Sequence, residues 1–125
     1  MDQPIYHILL IEDDQELSVM YKRKLEYEHF SVSLAKTGKE ALQALIDHKP
    51  ALILLDIMLP GGMNGFDILQ TVKQNPETAS IPIIMMTNLS SEEEQAKQLG
   101  VNEYLVKADT SLDKLVERIK LHLSK

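Results

Sequence analysis

Short apolar runs recur along the chain and predict the strands of a buried sheet. Four are continuous or nearly so: residues 8–11, 51–55, 81–86 and 104–106. Runs of this length without alternation are typical of strands covered on both faces. Residues 30–34 instead alternate apolar with polar side chains, which is the pattern of a strand with one solvent-facing side. We therefore predict five strands, the second of them at an edge of the sheet.

The segments that follow these runs carry apolar residues at the three- and four-residue spacings of amphipathic helices. The positions after the first, second, third and fifth strands are Leu17, Tyr21 and Leu25; Ala41, Leu42 and Leu45; Phe66, Leu69 and Val72; and Leu112, Leu115, Val116, Ile119 and Leu123. A more polar helix is predicted from about Glu92 to Leu99, with Ser91 and Glu94 as its capping box and Gly100 at its end. Strand and helix thus alternate five times.

This alternation predicts the fold class. Five strand–helix units in 125 residues average about 25 residues each, close to the minimal length of such a unit. The strands must then be parallel, joined by right-handed crossovers with helices on both faces. We predict one doubly wound α/β domain over residues 1–125. Ligands of such sheets bind beyond the carboxyl ends of the strands, where the strand order reverses, so candidate chemistry is expected there.

The composition indicates a soluble globular protein, with 44% hydrophobic and 26% charged residues. Thirteen basic against nineteen acidic residues give a net charge of −6, which disfavours direct binding of nucleic acid. The chain has no cysteine, no basic signal-peptide region and no apolar run near the ~18 residues of a membrane span. The four histidines show no ligand spacing and are assigned no metal role. We expect a cytoplasmic protein without a membrane anchor.

Polar residues stand at the predicted carboxyl ends of the strands. They are Glu12, Asp13 and Asp14 after the first strand, Asp56 after the third, Thr87 with Asn88 after the fourth and Lys107 after the fifth. Any one of them could be a cap or a solvated loop residue, as Asp14 would be for the first helix. Asp56 is harder to explain in that way because it directly follows the apolar run of a central strand.

Neighbouring carboxylates repel one another unless a cation lies between them. Hard oxygen ligands of this kind suit Mg²⁺, which takes one or two carboxylates together with waters and a phosphate oxygen. Lys107 would supply a second positive charge opposite the same carboxylates. Acidic cluster, lone aspartate, hydroxyl and lysine together are what phosphoryl transfer to a carboxylate needs.

With these residues the sequence resembles the response-regulator receiver domain of two-component signalling. The matching segments are residues 8–14, 54–60, 81–87 and 104–107, in order and over essentially the whole chain. The resemblance implies a flavodoxin-like sandwich with a five-stranded parallel sheet in the order 2-1-3-4-5. It also implies that Asp56 is the phospho-acceptor.

The resemblance further implies the roles of the surrounding residues. Asp13, Asp56 and the backbone carbonyl of Met58 would bind Mg²⁺ directly, and Glu12 would act through a metal-bound water. Lys107 would pair with the acceptor and its phosphate. Thr87 would bond the phosphoryl oxygens, and Tyr104 would turn inward when Thr87 shifts.

The implied function is a phosphorylation-gated switch. The phosphoryl group would come from a sensor histidine kinase or a histidine phosphotransfer protein, and the surface of the fourth helix, fifth strand and fifth helix would present the signal to a downstream protein target. Such a protein is no metabolic enzyme, but it is expected to catalyse its own phosphorylation and slow autodephosphorylation. The identities of kinase and target and the oligomeric state, monomeric or otherwise, stay open.

The chain departs from the family pattern beside the site. The lysine is followed by Ala108 instead of proline, and a cis bond there would cost ~3–4 kcal/mol, so we predict a trans bond. The loop of residues 60–65 has one more residue than the commonest version, which predicts a looser loop. Asn88 is bulkier than the usual alanine and could either obstruct the phosphoryl pocket or donate to it. Met58 and Leu89 replace polar residues that orient water, which predicts a longer-lived phosphorylated state.

Three alternatives compete with this reading. A receiver-like interaction module that never takes phosphate would suit Ala108 and Asn88 but leaves the acidic cluster and lysine unexplained. A flavin-binding electron carrier shares the sheet order, yet acidic residues 12–14 would repel a flavin phosphate. A hydrolase with an aspartate nucleophile would need a second acid two residues after Asp56, where Met58 stands.

Overall fold

The computed structural model describes residues 4–124 and contains a parallel sheet of five strands. The strands are β1 (His7–Ile11), β2 (Ser31–Ala35), β3 (Leu52–Leu55), β4 (Ile83–Thr87) and β5 (Glu103–Val106). The helices are α1 (Gln15–Tyr27), α2 (Gly38–Asp47), α3 (Gly65–Gln74), α4 (Glu93–Gln98) and α5 (Leu112–Leu123), and a 3₁₀ turn covers Lys107–Asp109. The predicted alternation of strands and helices is confirmed.

The strands lie in the order β2-β1-β3-β4-β5, and every neighbouring pair is parallel. The predicted order and the edge position of β2 are therefore confirmed. Ile11, the last residue of β1, is in register with Leu55, the last residue of β3. Thr87 at the end of β4 is likewise in register with Val106 at the end of β5. The residues that follow these strands therefore meet at one edge of the sheet.

The core has two layers because alternate strand residues point to opposite faces of the sheet. In β3, all four residues are fully buried: Ile53 and Leu55 pack with α2, α3 and α4, whereas Leu52 and Leu54 pack with α1 and α5. The continuous apolar run of this strand is explained by that double burial. Its end, where the acceptor candidate follows, is consequently held on both sides.

Helix α4 differs from its prediction. It covers only Glu93–Gln98, and its N-cap residue Glu92 makes no side-chain capping bond. The predicted capping box does not form, because the Ser91 hydroxyl bonds the neighbouring Glu92 carboxylate instead of a backbone N–H. The predicted stop is correct: Gly100 has φ of +97°, a left-handed conformation that glycine adopts without a Cβ penalty.

The predicted domain includes Met1–Gln3 and Lys125, which lie outside the described residues. Within residues 4–124, no helix is both long and apolar enough to cross a bilayer.

His7 and His48, far apart in sequence, contact each other with ring centroids 4.3 Å apart. Both ring nitrogens of His7 are also hydrogen-bonded to serine hydroxyls, of Ser31 and Ser33. Sequence spacing did not reveal this contact.

Candidate acidic site

Three carboxylates meet at the carboxyl edge of the sheet. Glu12 and Asp13 follow β1 and Asp56 follows β3, and the backbone N–H of Asp56 continues the strand pairing by donating to the carbonyl of Ile11 at 3.1 Å. One oxygen from each carboxylate lies within 4.8 Å of the others. Parallel pairing of β1 with β3 thus creates the acidic cluster that the sequence predicted.

Lys107 enters this cluster from the end of β5. Its Nζ donates to Asp56 Oδ2 at 2.8 Å and also to Glu12 Oε1. The side chains of Lys107 and Asp56 are each only 9% exposed, and that of Glu12 is 3% exposed. With Asp13 counted, three carboxylates and one ammonium leave a formal charge of −2. That residual charge matches a divalent cation.

Burial and pairing act against each other on these groups. Burial raises the pKa of Glu12 above its usual value, although the hydrogen bond from Lys107 works in the opposite direction. Burial by itself would lower the pKa of Lys107, but its hydrogen bonds to Asp56 and Glu12 raise it above the ordinary value. Lys107 therefore stays protonated at neutral pH and holds a fixed positive charge beside the acceptor candidate.

Asp14 has a different role from its two acidic neighbours. Its Oδ1 accepts the backbone N–H of Leu17 at 2.9 Å and so caps the amino end of α1. Its own N–H donates to Glu12 Oε2 at 3.1 Å. The capping interpretation of Asp14 is thus confirmed, while Asp13 stays exposed at the mouth of the cluster.

The donor set fits a magnesium ion. Mg²⁺ takes oxygen ligands at about 2.0–2.1 Å and usually retains several waters, and Glu12, Asp13 and Asp56 supply only oxygens. Asp13 is open to solvent, so waters can complete the coordination. Met58 lies beside the acceptor candidate, where its N–H donates to Asp56 Oδ1 across 3.4 Å and its side chain is 63% exposed.

Thr87 and Tyr104 are linked to the same loop residue. Thr87 is 1% exposed, and its Oγ1 accepts the N–H of Leu89 at 3.3 Å. Tyr104 is 8% exposed, and its hydroxyl donates to the carbonyl of Leu89. Burial raises the pKa of this phenol above its usual value. The described bonds of Thr87 thus go to the β4–α4 loop and not to Asp56, and the Tyr104 ring already lies inward.

The bond between Lys107 and Ala108 is trans, as predicted, since residues 4–124 contain no cis peptide bond. The chain then turns through a 3₁₀ helix, and Ala108 is exposed. Asn88 is exposed too and lines a shallow cavity of about 420 Å³ together with Lys107, Ala108 and Tyr21. Asn88 therefore stands at the rim of the site.

Gly65 is a positioning residue that sequence reasoning missed. A Cβ at this position would lie 2.3 Å from the carbonyl oxygen of Asp56 and 2.7 Å from Cα of Ile57. The N–H of Gly65 also donates to the carbonyl of Ile57 at 2.8 Å. The Asn64-Gly65 pair reads in sequence as a turn. In the structure Asn64 caps α3 and its glycine lets that helix pack directly against the acceptor segment.

Comparison with known proteins agrees with this arrangement. Residues 8–120 match the family model of the response regulator receiver domain. The phosphate regulon transcriptional regulatory protein PhoB of Rhizobium meliloti (strain 1021) is 38% identical over 118 residues, which cover 93% of this chain and 51% of that protein. The chain spans about half the length of the curated relatives it matches.

Solved structures show the same fold. A putative response regulator from Chloroflexus aurantiacus superimposes with a TM-score of 0.91 and 30% identity, over 98% of this chain and 100% of that one. The Mn²⁺-bound form of response regulator Rcp1 gives a TM-score of 0.77 and 28% identity, over 95% of this chain and 90% of that one. Receiver domains bind Mg²⁺ at an acidic site and interact with histidine kinases and downstream effectors. With a family match that runs from β1 into α5, the chain belongs to the response regulator receiver domains of two-component signalling.

Proposed function

We propose that this chain is a switch gated by phosphorylation of Asp56. The observation that carries the proposal is the position of Asp56: a buried carboxylate at the end of the central strand, held by Lys107 and next to two further carboxylates. Asp13, Asp56 and the carbonyl of Met58 would hold Mg²⁺ directly, and Glu12 would act through a bound water. When bound, Mg²⁺ supplies charge neutralisation for the carboxylates and for the transferred phosphoryl oxygens.

The reaction is an in-line displacement at phosphorus. A carboxylate oxygen of Asp56 forms the new O–P bond, and the bond from phosphorus to the donor breaks with its electron pair leaving on the donor, a histidine imidazole of the kinase or phosphotransfer protein. The Nζ of Lys107 already donates to Asp56 Oδ2 at 2.8 Å, so its ammonium group would pair with the negative charge that the phosphoryl group adds. The product is an acyl phosphate on Asp56.

The added phosphoryl group then acts on Thr87. It brings a charge of about −1.5 to −2 and strong acceptor oxygens into the site, and the Thr87 hydroxyl can donate to one of them. Because Leu89 is bonded to both Thr87 and the Tyr104 hydroxyl, a shift of Thr87 moves the segment that holds this ring. The change would reach the surface formed by α4, β5 and α5, where a downstream protein target would read it.

No observation favours the alternatives. Asn88 and Ala108 are exposed at the rim, so neither supports a module that takes no phosphate. A flavin carrier does not agree with the family match. We therefore propose that residues 1–125 form one receiver domain that is phosphorylated by a sensor histidine kinase or a histidine phosphotransfer protein.

The test is to incubate the chain with Mg²⁺ and acetyl phosphate and to measure its intact mass. We expect a gain of about 80 Da, one phosphoryl group, that requires Mg²⁺ and disappears in Asp56→Asn. Asp47→Asn, an exposed aspartate at the end of α2, is the matched control and should still gain the mass. A gain in Asp56→Asn, or none in the wild type at saturating Mg²⁺, would contradict the proposal.

A further inference from the structure

We propose that Thr110 is a positioning residue that holds the Lys107 turn and thereby the lysine's ammonium group against Asp56. The inference rests on the proposed function, because it concerns phosphoryl transfer at Asp56. It arises from a juxtaposition: one threonine is bonded both to the residue before Lys107 and to Lys107 itself.

The two bonds close the 3₁₀ turn that begins at Lys107. The Thr110 hydroxyl donates to the carbonyl of Val106 at 2.8 Å, and the Thr110 N–H donates to the carbonyl of Lys107 at 3.3 Å. Val106 is the last residue of β5 and is in register with Thr87. The hydroxyl therefore fixes the point at which the chain leaves the sheet, immediately before the lysine.

Other side chains in this turn offer little support. Ala108 and Asp109 are both exposed. The peptide bond before Ala108 is trans, and alanine has no ring to fix the backbone dihedral φ as proline would. Thr110, by contrast, is half-buried. Thr110, directly after the turn, thus supplies the side-chain bond that holds the turn against the end of β5.

Thr110 also connects the turn to a firmly packed helix. The next residue, Ser111, caps α5 by accepting the N–H of Lys114 at 3.1 Å. Helix α5 is in turn anchored in the core by Leu115 and Ile119, which are 1% and 0% exposed. Through Thr110 the lysine's backbone is therefore fixed from two sides, by the end of β5 and by the start of α5.

The position of Lys107 matters because its side chain spans from this turn to two buried carboxylates. Small misplacements of a charged group can cost orders of magnitude in rate. Without the Thr110 hydroxyl we expect Lys107 to sample other positions and to stabilise the transferring phosphoryl group less well. Cation binding depends on the carboxylates, so it should persist.

The experiment compares rates of phosphorylation by acetyl phosphate in Thr110→Val, Thr110→Ser and Thr78→Val. Valine keeps the β-branch and removes the hydroxyl, whereas serine keeps the hydroxyl. Thr78 is the matched control because its hydroxyl also donates to a backbone carbonyl, that of Val72, at 2.8 Å but away from the site. We expect Thr110→Val to be at least about tenfold slower, with Thr110→Ser and Thr78→Val near the wild type. Equal rates for Thr110→Val and the wild type would overturn the inference.

A double-mutant cycle tests whether Thr110 acts through Lys107. In a Lys107→Met background the lysine's contribution is already lost, so adding Thr110→Val should slow the reaction no further. If Thr110→Val slows Lys107→Met as much as it slows the wild type, the residue acts independently of the lysine and the inference is wrong.

A second readout separates this inference from the proposed function. The ¹⁵N–¹H signal of the Lys107 ammonium, recorded without any phosphodonor, reports its hydrogen bonds to Asp56 and Glu12. We expect that signal to shift or broaden in Thr110→Val and to stay unchanged in Thr78→Val. An unchanged signal in Thr110→Val would refute the positioning role even if Asp56 is phosphorylated. If the wild type takes no phosphoryl group, the proposed function fails, and the signal still decides the role of Thr110.

Discussion

Gly65 leaves no room for a side chain beside the carbonyl of Asp56. The methyl group of Gly65→Ala would force α3 away from the acceptor segment, and overpacking of this kind typically costs about 1–3 kcal/mol. We therefore expect a lower free energy of unfolding and slower phosphorylation of Asp56. Urea unfolding and the mass assay with acetyl phosphate measure the two effects.

Gly38→Ala is the matched control, since Gly38 is the first residue of α2 as Gly65 is of α3. A Cβ there would lie 2.5 Å from Sδ and 2.8 Å from Cβ of Met63, which is in the loop before α3 and not in the acceptor segment. We expect a loss of stability from this overpacking but unchanged phosphorylation. Equal effects of the two substitutions on phosphorylation would show that close packing against Asp56 is unimportant.

Met58 and Leu89 should determine the lifetime of the phosphorylated state. Met58 is exposed beside Asp56, and Leu89 packs against the core beyond Thr87. Neither side chain can orient a water for attack on phosphorus, so the double variant Met58→Asn/Leu89→Glu should lose its phosphoryl group severalfold faster. The decay of the phosphorylated mass after donor removal measures this.

The apolar variant Met58→Leu/Leu89→Ile is the control for that experiment and should decay at the wild-type rate. A wild-type half-life no longer than that of the polar double variant would contradict the prediction.

Among individual residues, the sequence predicted the charged groups of the site better than the residues that position them. Glu12, Asp56 and Lys107 could be found because each follows an apolar strand, and parallel strands end at the same edge. The roles of Gly65 and Thr110 depend on close approach between segments, which spacing along the chain does not encode. Their local signals, a turn glycine and a loop threonine, are shared with many residues that have no such role.

Among the elements, β5 and α5 are joined by a charged network that makes stability depend on pH. Glu103 accepts from Arg118 Nε at 2.7 Å and contacts His122 Nε2 at 2.6 Å. Burial alone would raise the pKa of Glu103, but the hydrogen bonds from Arg118 and His122 lower it below the ordinary value of 4.5. The ionised carboxylate is therefore preferred in the folded state.

The sign of the effect follows from this lowered pKa. The network's contribution is complete above the unfolded-state pKa and is lost as the pH falls through the lower, folded-state value. We expect the wild-type advantage over Glu103→Gln in free energy of unfolding to shrink as the pH falls below about 5. Urea unfolding across that range measures it.

Glu94→Gln, on the exposed surface of α4, is the control and should show no such pH-dependent difference. A wild-type advantage over Glu103→Gln that persists unchanged to strongly acidic pH would contradict the assignment.

The elements themselves could be predicted where burial is strong. Strand β3 and helix α5 follow directly from their apolar patterns, whereas the predicted α4 is two residues longer than the observed helix. Its sequence is rich in glutamate, so a serine followed by a glutamate three residues later looked like a capping box, and Ser91 bonds Glu92 instead. Only Ala96 of this helix is buried, so little packing fixes its ends.

For the molecule as a whole, the charge of the acidic site couples cation binding to folding. A ligand that binds only the folded chain stabilises it, by about 2.7 kcal/mol at a concentration one hundred times its Kd. We expect Mg²⁺ at one hundred times its Kd to raise the free energy of unfolding of the wild type by this amount, about 2.7 kcal/mol. Urea unfolding with and without Mg²⁺ measures this effect.

Two adjacent aspartates provide the control. Asp13→Ala should lose most of the stabilisation by Mg²⁺ because it removes a carboxylate of the cluster. Asp14→Ala should lower the stability by about 1 kcal/mol, since it removes the cap of α1, but should keep the response to Mg²⁺. Equal responses to Mg²⁺ in the two variants would argue against a cation site at Asp13.

The burial of two tyrosines gives the chain an optical reporter of its own. The sequence has no tryptophan and four tyrosines, of which Tyr21 and Tyr104 are buried while Tyr6 and Tyr27 are exposed. Tyr21 lines the cavity beside Lys107, and Tyr104 is bonded to the loop after Thr87. Rigidly held rings dominate the near-ultraviolet circular dichroism of a protein, so that spectrum follows events at the acidic site without any attached dye.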